Sequence, residues 1–337
     1  MGAAMKPISH SYSYTIDQCD VDNKELLGKF RKKYAEWVLW FDDDKHHSIC
    51  EQIYTMMWND AAYRAFNEAR RFSSEQSPTA SWNGMLGEFL DRGYVSTQIL
   101  DICKITDKSS SEPKKGVISL RRMVDDIATN RGLITRENYV CLDGLPYDYE
   151  KVWQAEINAL TPEQIGQVRY GHTRGPQAWG MSRTVHAAFD CLSGVDAQQR
   201  SRTDLISEKV FETIKKWFDA PVLEILRTHR NKFVGHAADA TSRQQTPLCL
   251  MGPTLDELAE AQRTVIRIAN AVGSNILYMH SVGGPVPTPQ FDQFENLHLP
   301  LIPEAQMQEM HKWWADHASE REAWAREPVD LFAISSV

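Results

Sequence analysis

Between residues 24 and 41, in KELLGKFRKKYAEWVLWF, apolar side chains recur at three- and four-residue steps: Leu27, Phe30, Tyr34, Trp37, Val38 and Phe41. That spacing is one face of an α-helix. The same rhythm predicts helices over 49–72, 81–107 and 117–134, the last with Ser119 as its N-cap. Residues 140–160 read as a loop followed by a helix, and TPEQ at 161–164 is a helix start, with Thr161 as cap and Pro162 at the first helical position. Further helices are predicted over 181–194, ending at Gly194, over 202–220, and from Pro221 onward. Thr254 and Glu257 form a capping box that launches an apolar-faced helix over 255–280, and a last helix covers 303–325. Polar, Gly- and Pro-containing stretches near 108–116, 170–180, 237–253 and 283–302 read as loops. GVISL and TPLCLM are the only short β-like runs, and no internal repeat is visible. The fold class is therefore all-α.

Composition narrows the picture. A chain of 337 residues with 42% hydrophobic content can bury a large core in one or two domains. Its net charge of −8 argues against a protein that coats nucleic acid non-specifically. No run of apolar residues is long enough to span a membrane, and the N-terminal stretch has neither an apolar signal core nor, with Lys6, the hydroxyl residue of a myristoylation motif. The six cysteines are scattered without a CxxC pair, as expected of reduced thiols in a cytoplasmic protein.

Nucleotide-binding glycine loops, a GxSxG elbow and an HExxH motif are all missing. Three weaker groupings remain. Asp42 and His46 stand four apart in WFDDDKHHSIC and could meet a metal on one helix face, but Asp43 or Asp44 capping the next helix is the simpler account. His186 and Asp190 also stand four apart, with no third group at ligand spacing, which favours an ordinary surface or interface pair. The third grouping is RNKFVGH at 230–236, late in an amphipathic helix and just before a loop. Arginine offers a planar fork of donors suited to phosphate, histidine titrates near neutral pH, and asparagine can orient either. These are parts for cleaving RNA without a metal. A base takes the ribose 2′-OH proton, the oxygen attacks phosphorus, Arg steadies the phosphoryl charge, and an acid protonates the departing 5′-oxygen. Six residues along a regular helix amount to about 9 Å of rise and about 600° of turn, so Arg230 and His236 fall about 120° apart. Two chains related by a two-fold axis, or a local distortion at Gly235, would be needed to bring such groups together.

RNKFVGHAAD resembles the Arg–(four to six residues)–His signature of the HEPN superfamily, with Asn231 as the polar residue that usually follows the Arg, and it looks most like the abortive-infection-type HEPN proteins. ILDICKITD, VISLRRMVDDI and the capped helix 255–280 are similar to flanking helices of that group, so the resemblance covers about residues 85–280. It implies an HEPN-like helical bundle over 81–282, with an insertion near 143–200, an N-terminal helical extension over 1–80 and a C-terminal extension over 283–337 carrying one helix. It further implies a metal-independent endoribonuclease leaving 2′,3′-cyclic phosphate ends, in phage defence or a toxin–antitoxin system. A homodimer with a composite site, a possible antitoxin or sensor partner, and no cofactor or metal go with it. Carried over, His236 is the acid/base, Arg230 the phosphate ligand and Asn231 the orienting group. Arg227 and Lys232 would contact RNA, with Lys215 and Lys216 extending the basic surface. Ala238 stands where some toxin members carry a tyrosine that their antitoxin modifies, so that form of control is not implied. Some HEPN proteins are non-catalytic interaction modules, which is the alternative.

Overall fold

An amphipathic helix gains stability by burying its apolar face against other helices. The computed structural model describes residues 11–76, 83–108, 116–161, 171–244 and 252–324. Among them are twelve α-helices and no strand; the isolated antiparallel bridge between Thr135 and Leu205 is local. Met1–Pro287 and Thr288–Val337 form two separate compact units.

The first unit is built around α3 (Gly84–Thr106), capped at its start by the Asn83 side chain, which accepts from Leu86 N. Its second half buries Ile99, Ile102, Cys103, Ile105 and Thr106. It packs against α2 (Ile49–Gln76), α4 (Leu120–Thr129), α9 (Pro221–His229) and α11 (Leu255–Asn270). A buried amide pair ties three of these helices. Gln262 Nε2 donates to Gln98 Oε1 at 2.9 Å, and Gln98 Nε2 donates to the Met56 carbonyl at 3.0 Å. Each group is satisfied by the other, so the polar atoms fix helix register without a desolvation penalty left open. α1 (Lys24–Val38) adds Leu27, Phe30, Trp37 and Val38 to the same core.

The capping residues fall where the sequence places them. Ser119 accepts from Arg122 N, Pro221 opens α9, and Thr254 with Glu257 closes a reciprocal box at α11. The predicted single helix over 117–134 is instead broken. α4 ends at Asn130, a 3₁₀ turn covers Arg131–Leu133, and Thr135 caps a short new helix, α5 (Arg136–Val140). The predicted start at 202 is also late: α8 runs from Glu208 to Phe218, after a loop whose Asp204 and Arg202 carbonyls accept from the first amides of α5. GVISL forms no strand; TPLCLM and the helix start at 161–164 extend outside the described residues. A hairpin of α6 (Tyr149–Asn158) and α7 (Trp179–Ser193) packs beside α5, and a one-turn α10 (Ala240–Gln244) follows α9. The second unit carries α12 (Met307–Trp324).

Among the described residues, three helices end in widened π-helical turns: α1 over Leu39–Asp43, α9 over Arg230–Val234 and α11 over Ala271–Ile276. Such turns bond residue i to i+5 and are uncommon outside functional or strained sites.

Candidate functional site

The widened turn after α9 contains the first five residues of RNKFVGH. α9 begins at Pro221, buries Val222, Leu223 and Leu226, and so presents its C-terminal end beside α3. At Arg230 the α-helical ladder gives way, and the Arg230 carbonyl accepts from Gly235 N at 2.7 Å. One extra residue in a turn sets the later residues back by about 100° in phase, so Arg230 and His236 would remain about 140° apart if a helix continued. It does not continue: the turn closes at Val234, and Gly235 caps it. A Cβ placed on Gly235 would lie 3.3 Å from the Arg230 carbonyl and 3.8 Å from Arg230 Cγ. The direction of His236 is thus set by the loop and not by helical phase.

Each predicted residue has a definite setting. Arg230 is partly buried, its Nη1 is ion-paired with the Asp107 carboxylate, and its Nε donates to Asn231 Oδ1 at 3.1 Å. Asn231 is exposed and holds the guanidinium on one edge. His236 is exposed. Lys232 donates to Ser242 Oγ on α10, whose own backbone amide donates to Asp239 Oδ1 at 2.7 Å. Arg227 donates to the Phe218 carbonyl at 2.8 Å, capping the end of α8, and pairs with Glu224 at 3.1 Å. His229 stacks on Phe233 with ring centres 4.8 Å apart. Lys215 and Lys216 lie exposed in the last turn of α8.

Asp107 is the residue that sequence reasoning missed. It is the C-cap of α3, and its carbonyl accepts from Ser119 Oγ at 2.7 Å, so the ends of α3 and α4 both fix it. Cys103, one turn earlier on α3, is buried; burial pushes its thiol up to about 11, with Arg230 pulling the other way. It is protonated at neutral pH and no nucleophile.

The other two groupings have structural partners. Asp42 lies in the widened turn after α1 and meets His280 Nε2 at 3.0 Å, while Asp44 Oδ1 accepts from the amides of His46 and His47. Among the described residues no three His, Cys, Asp or Glu side chains are grouped to hold a metal ion. His186 is buried, with Nε2 2.9 Å from the Tyr147 carbonyl, so it is neither a catalytic partner of Asp190 nor a surface residue. Asp190 is bridged by Arg136 at 2.7 Å and Arg200 at 2.6 Å; burial opposes its ionisation, but the two arginines win and hold its carboxyl below the usual range.

The all-α helical fold is that of an abortive-infection-type protein of the HEPN superfamily. Within that class the chain belongs to the AbiU2 family, whose family model matches residues 43–282, from the last residue of the widened turn after α1 to beyond the end of α11. No curated protein and no solved structure matches the chain. No helix among the described residues is long and apolar enough to cross a membrane.

Proposed function

We propose that the protein is a metal-independent endoribonuclease that acts in abortive infection, as a cytoplasmic defence or toxin component. The observation that carries this is the widened turn that holds Arg230, its guanidinium fixed by Asp107 and Asn231, shortly before an exposed His236. A guanidinium has five N–H donors, and among the described residues only Nε and one on Nη1 are engaged, which leaves an edge for a phosphate. His236 takes the 2′-OH proton, the 2′-oxygen displaces the 5′-oxygen at phosphorus, and the histidine of a second copy protonates the leaving oxygen. Arg230 holds the phosphoryl oxygens as negative charge builds. With one histidine, His236, in the motif, a two-fold pairing of chains is the natural way to supply both base and acid. An antitoxin or sensor partner would govern when RNA enters.

The test is cleavage of RNA in EDTA by purified protein, with end-group analysis. We expect 2′,3′-cyclic phosphate ends, and loss of cleavage in His236→Ala and Arg230→Ala. Equal cleavage by His236→Ala refutes the assignment. The Arg230–Asp107 ion pair favours a second reading, in which the arginine is a structural clasp and the bundle only binds a partner. On that reading His236→Ala leaves the defence phenotype intact in cells, and surface substitutions abolish it.

A further inference from the structure

The one-turn α10 buries none of its residues, so the core does not explain it. Its side chains turn back on the loop that carries His236. Residues 235–239 leave the widened turn after α9 in no helix, and all but Ala238 are exposed. Gly235 N donates to the Arg230 carbonyl at 2.7 Å, and Ala238 N donates to the Lys232 carbonyl at 3.3 Å. His236 and Ala237 span the interval between those two anchors. Just beyond it, Arg243 Nη1 donates to the Ala238 carbonyl at 3.0 Å. We propose that Arg243 is a positioning residue for His236, and that α10 is the brace through which it acts. The proposal rests on the ribonuclease reading above.

Fixing each residue of such a loop costs about 1–2 kcal/mol of backbone entropy, which local bonds have to offset. At Ala238 both the N–H and the carbonyl are engaged, so the peptide planes on either side of it are held. The brace is itself anchored. Asp239 Oδ1 accepts from Ser242 N at 2.7 Å, the Asp239 carbonyl accepts from Arg243 N at 3.0 Å, and Lys232 reaches back from the widened turn to Ser242 Oγ. Lys232 thus ties α10 to the segment that holds Arg230, and Arg243 ties α10 to the segment behind His236. Together they set the spacing of the two groups, which helical phase does not.

Two features separate positioning from a direct contact with RNA. Arg243 is partly buried, and its guanidinium is turned onto a backbone carbonyl of its own chain. Its bond falls two residues from His236, where a small shift changes proton transfer more than it changes phosphate binding at Arg230. A displacement of about 1 Å in a catalytic group can cost about a hundredfold in rate.

The test is steady-state cleavage of an unstructured oligoribonucleotide in EDTA by the full-length protein, with urea unfolding of each variant as the check on folding. Arg243→Met keeps the stem and removes the donors; it should lower kcat about tenfold and leave KM within about twofold. Its unfolding midpoint should match wild type, because α10 buries nothing. Arg243→Lys retains a donor and should recover most of the rate. Ser242→Ala releases Lys232 and should act in the same direction, more weakly. Amide hydrogen exchange at residues 236–239 should quicken in Arg243→Met while the core helices keep their protection. If wild type cleaves RNA and Arg243→Met matches its kcat, the positioning role is wrong and the ribonuclease reading stands. A loss carried by KM alone also overturns it, since Arg243 would then be holding RNA. If wild type does not cleave RNA, the ribonuclease reading falls and the positioning role falls with it.

Discussion

Replacing His186 by glutamine should flatten the response of the protein to mild acid. His186 is 2% exposed, Nε2 faces the Tyr147 carbonyl at 2.9 Å, and Nδ1 is buried without a partner. Burial is the main reason its affinity for a proton falls, and Arg200 and Arg136 add to it; the Tyr147 carbonyl and Asp190 oppose them but do not prevail. The imidazole consequently binds its second proton at about pH 4, compared with 6.5 for an ordinary histidine. Between those values the unfolded chain is protonated at this site and the folded chain is not, so stability is lost as pH falls through the window. Fully expressed below pH 4, the loss is about 3 kcal/mol, and at pH 5 it is about 2 kcal/mol. Glutamine can still donate to the Tyr147 carbonyl but does not titrate. Urea unfolding at about pH 7.5 and about pH 5 should therefore show wild type losing about 2 kcal/mol more than His186→Gln, whatever their absolute stabilities. Parallel losses in the two proteins would mean that His186 is not held neutral, and the account of this buried network would fail.

Other substitutions probe the widened turns and the buried ion pairs. Gly273→Ala in the turn after α11 would set a methyl 2.3 Å from Phe41 Cζ and 2.9 Å from the His280 carbonyl, against a ring with no exposure. It should cost about 1–3 kcal/mol in urea unfolding, and an unchanged midpoint would show that the turn is loosely packed. Arg136 is wholly buried and joins Asp190 to Asp204. Arg136→Leu should cost about 3–5 kcal/mol, and adding Asp204→Asn should recover part of that; strict additivity would contradict direct pairing. Gly235→Ala meets the Arg230 carbonyl at 3.3 Å at an ordinary backbone conformation, so it should change stability by less than about 1 kcal/mol but cut RNA cleavage severalfold. Full cleavage by that variant would show that the turn before His236 tolerates a side chain against the Arg230 carbonyl.

What the chain reveals in advance depends on how far each interaction reaches along it. Apolar periodicity and caps are local, and so the helices around Leu27–Val38, Ser119 and Thr254 can be read from a dozen residues at a time. The break at Asn130 and the late start of α8 come from a distant docking: Arg136 N and Glu137 N donate to the Asp204 and Arg202 carbonyls. No window of sequence contains both partners. The candidate site divides the same way. Arg230, Asn231 and His236 lie in one heptapeptide, and their residue types suit the proposed phosphate chemistry. The widened turn leaves no mark, because nothing in RNKFV distinguishes a π-helical from an α-helical turn. Asp107 is 123 residues from Arg230 and looks like the first residue of a polar loop. Its place is decided by the Ser119 hydroxyl on its carbonyl and by the packing of α3 against α9, both tertiary. That pairing also changes what Arg230 can be. A lone guanidinium late in a helix would swing on a flexible stem, whereas one held by Asp107 at Nη1 and by Asn231 at Nε keeps its remaining edge in one orientation. On the proposed reading, a phosphate arriving there would meet donors already aligned.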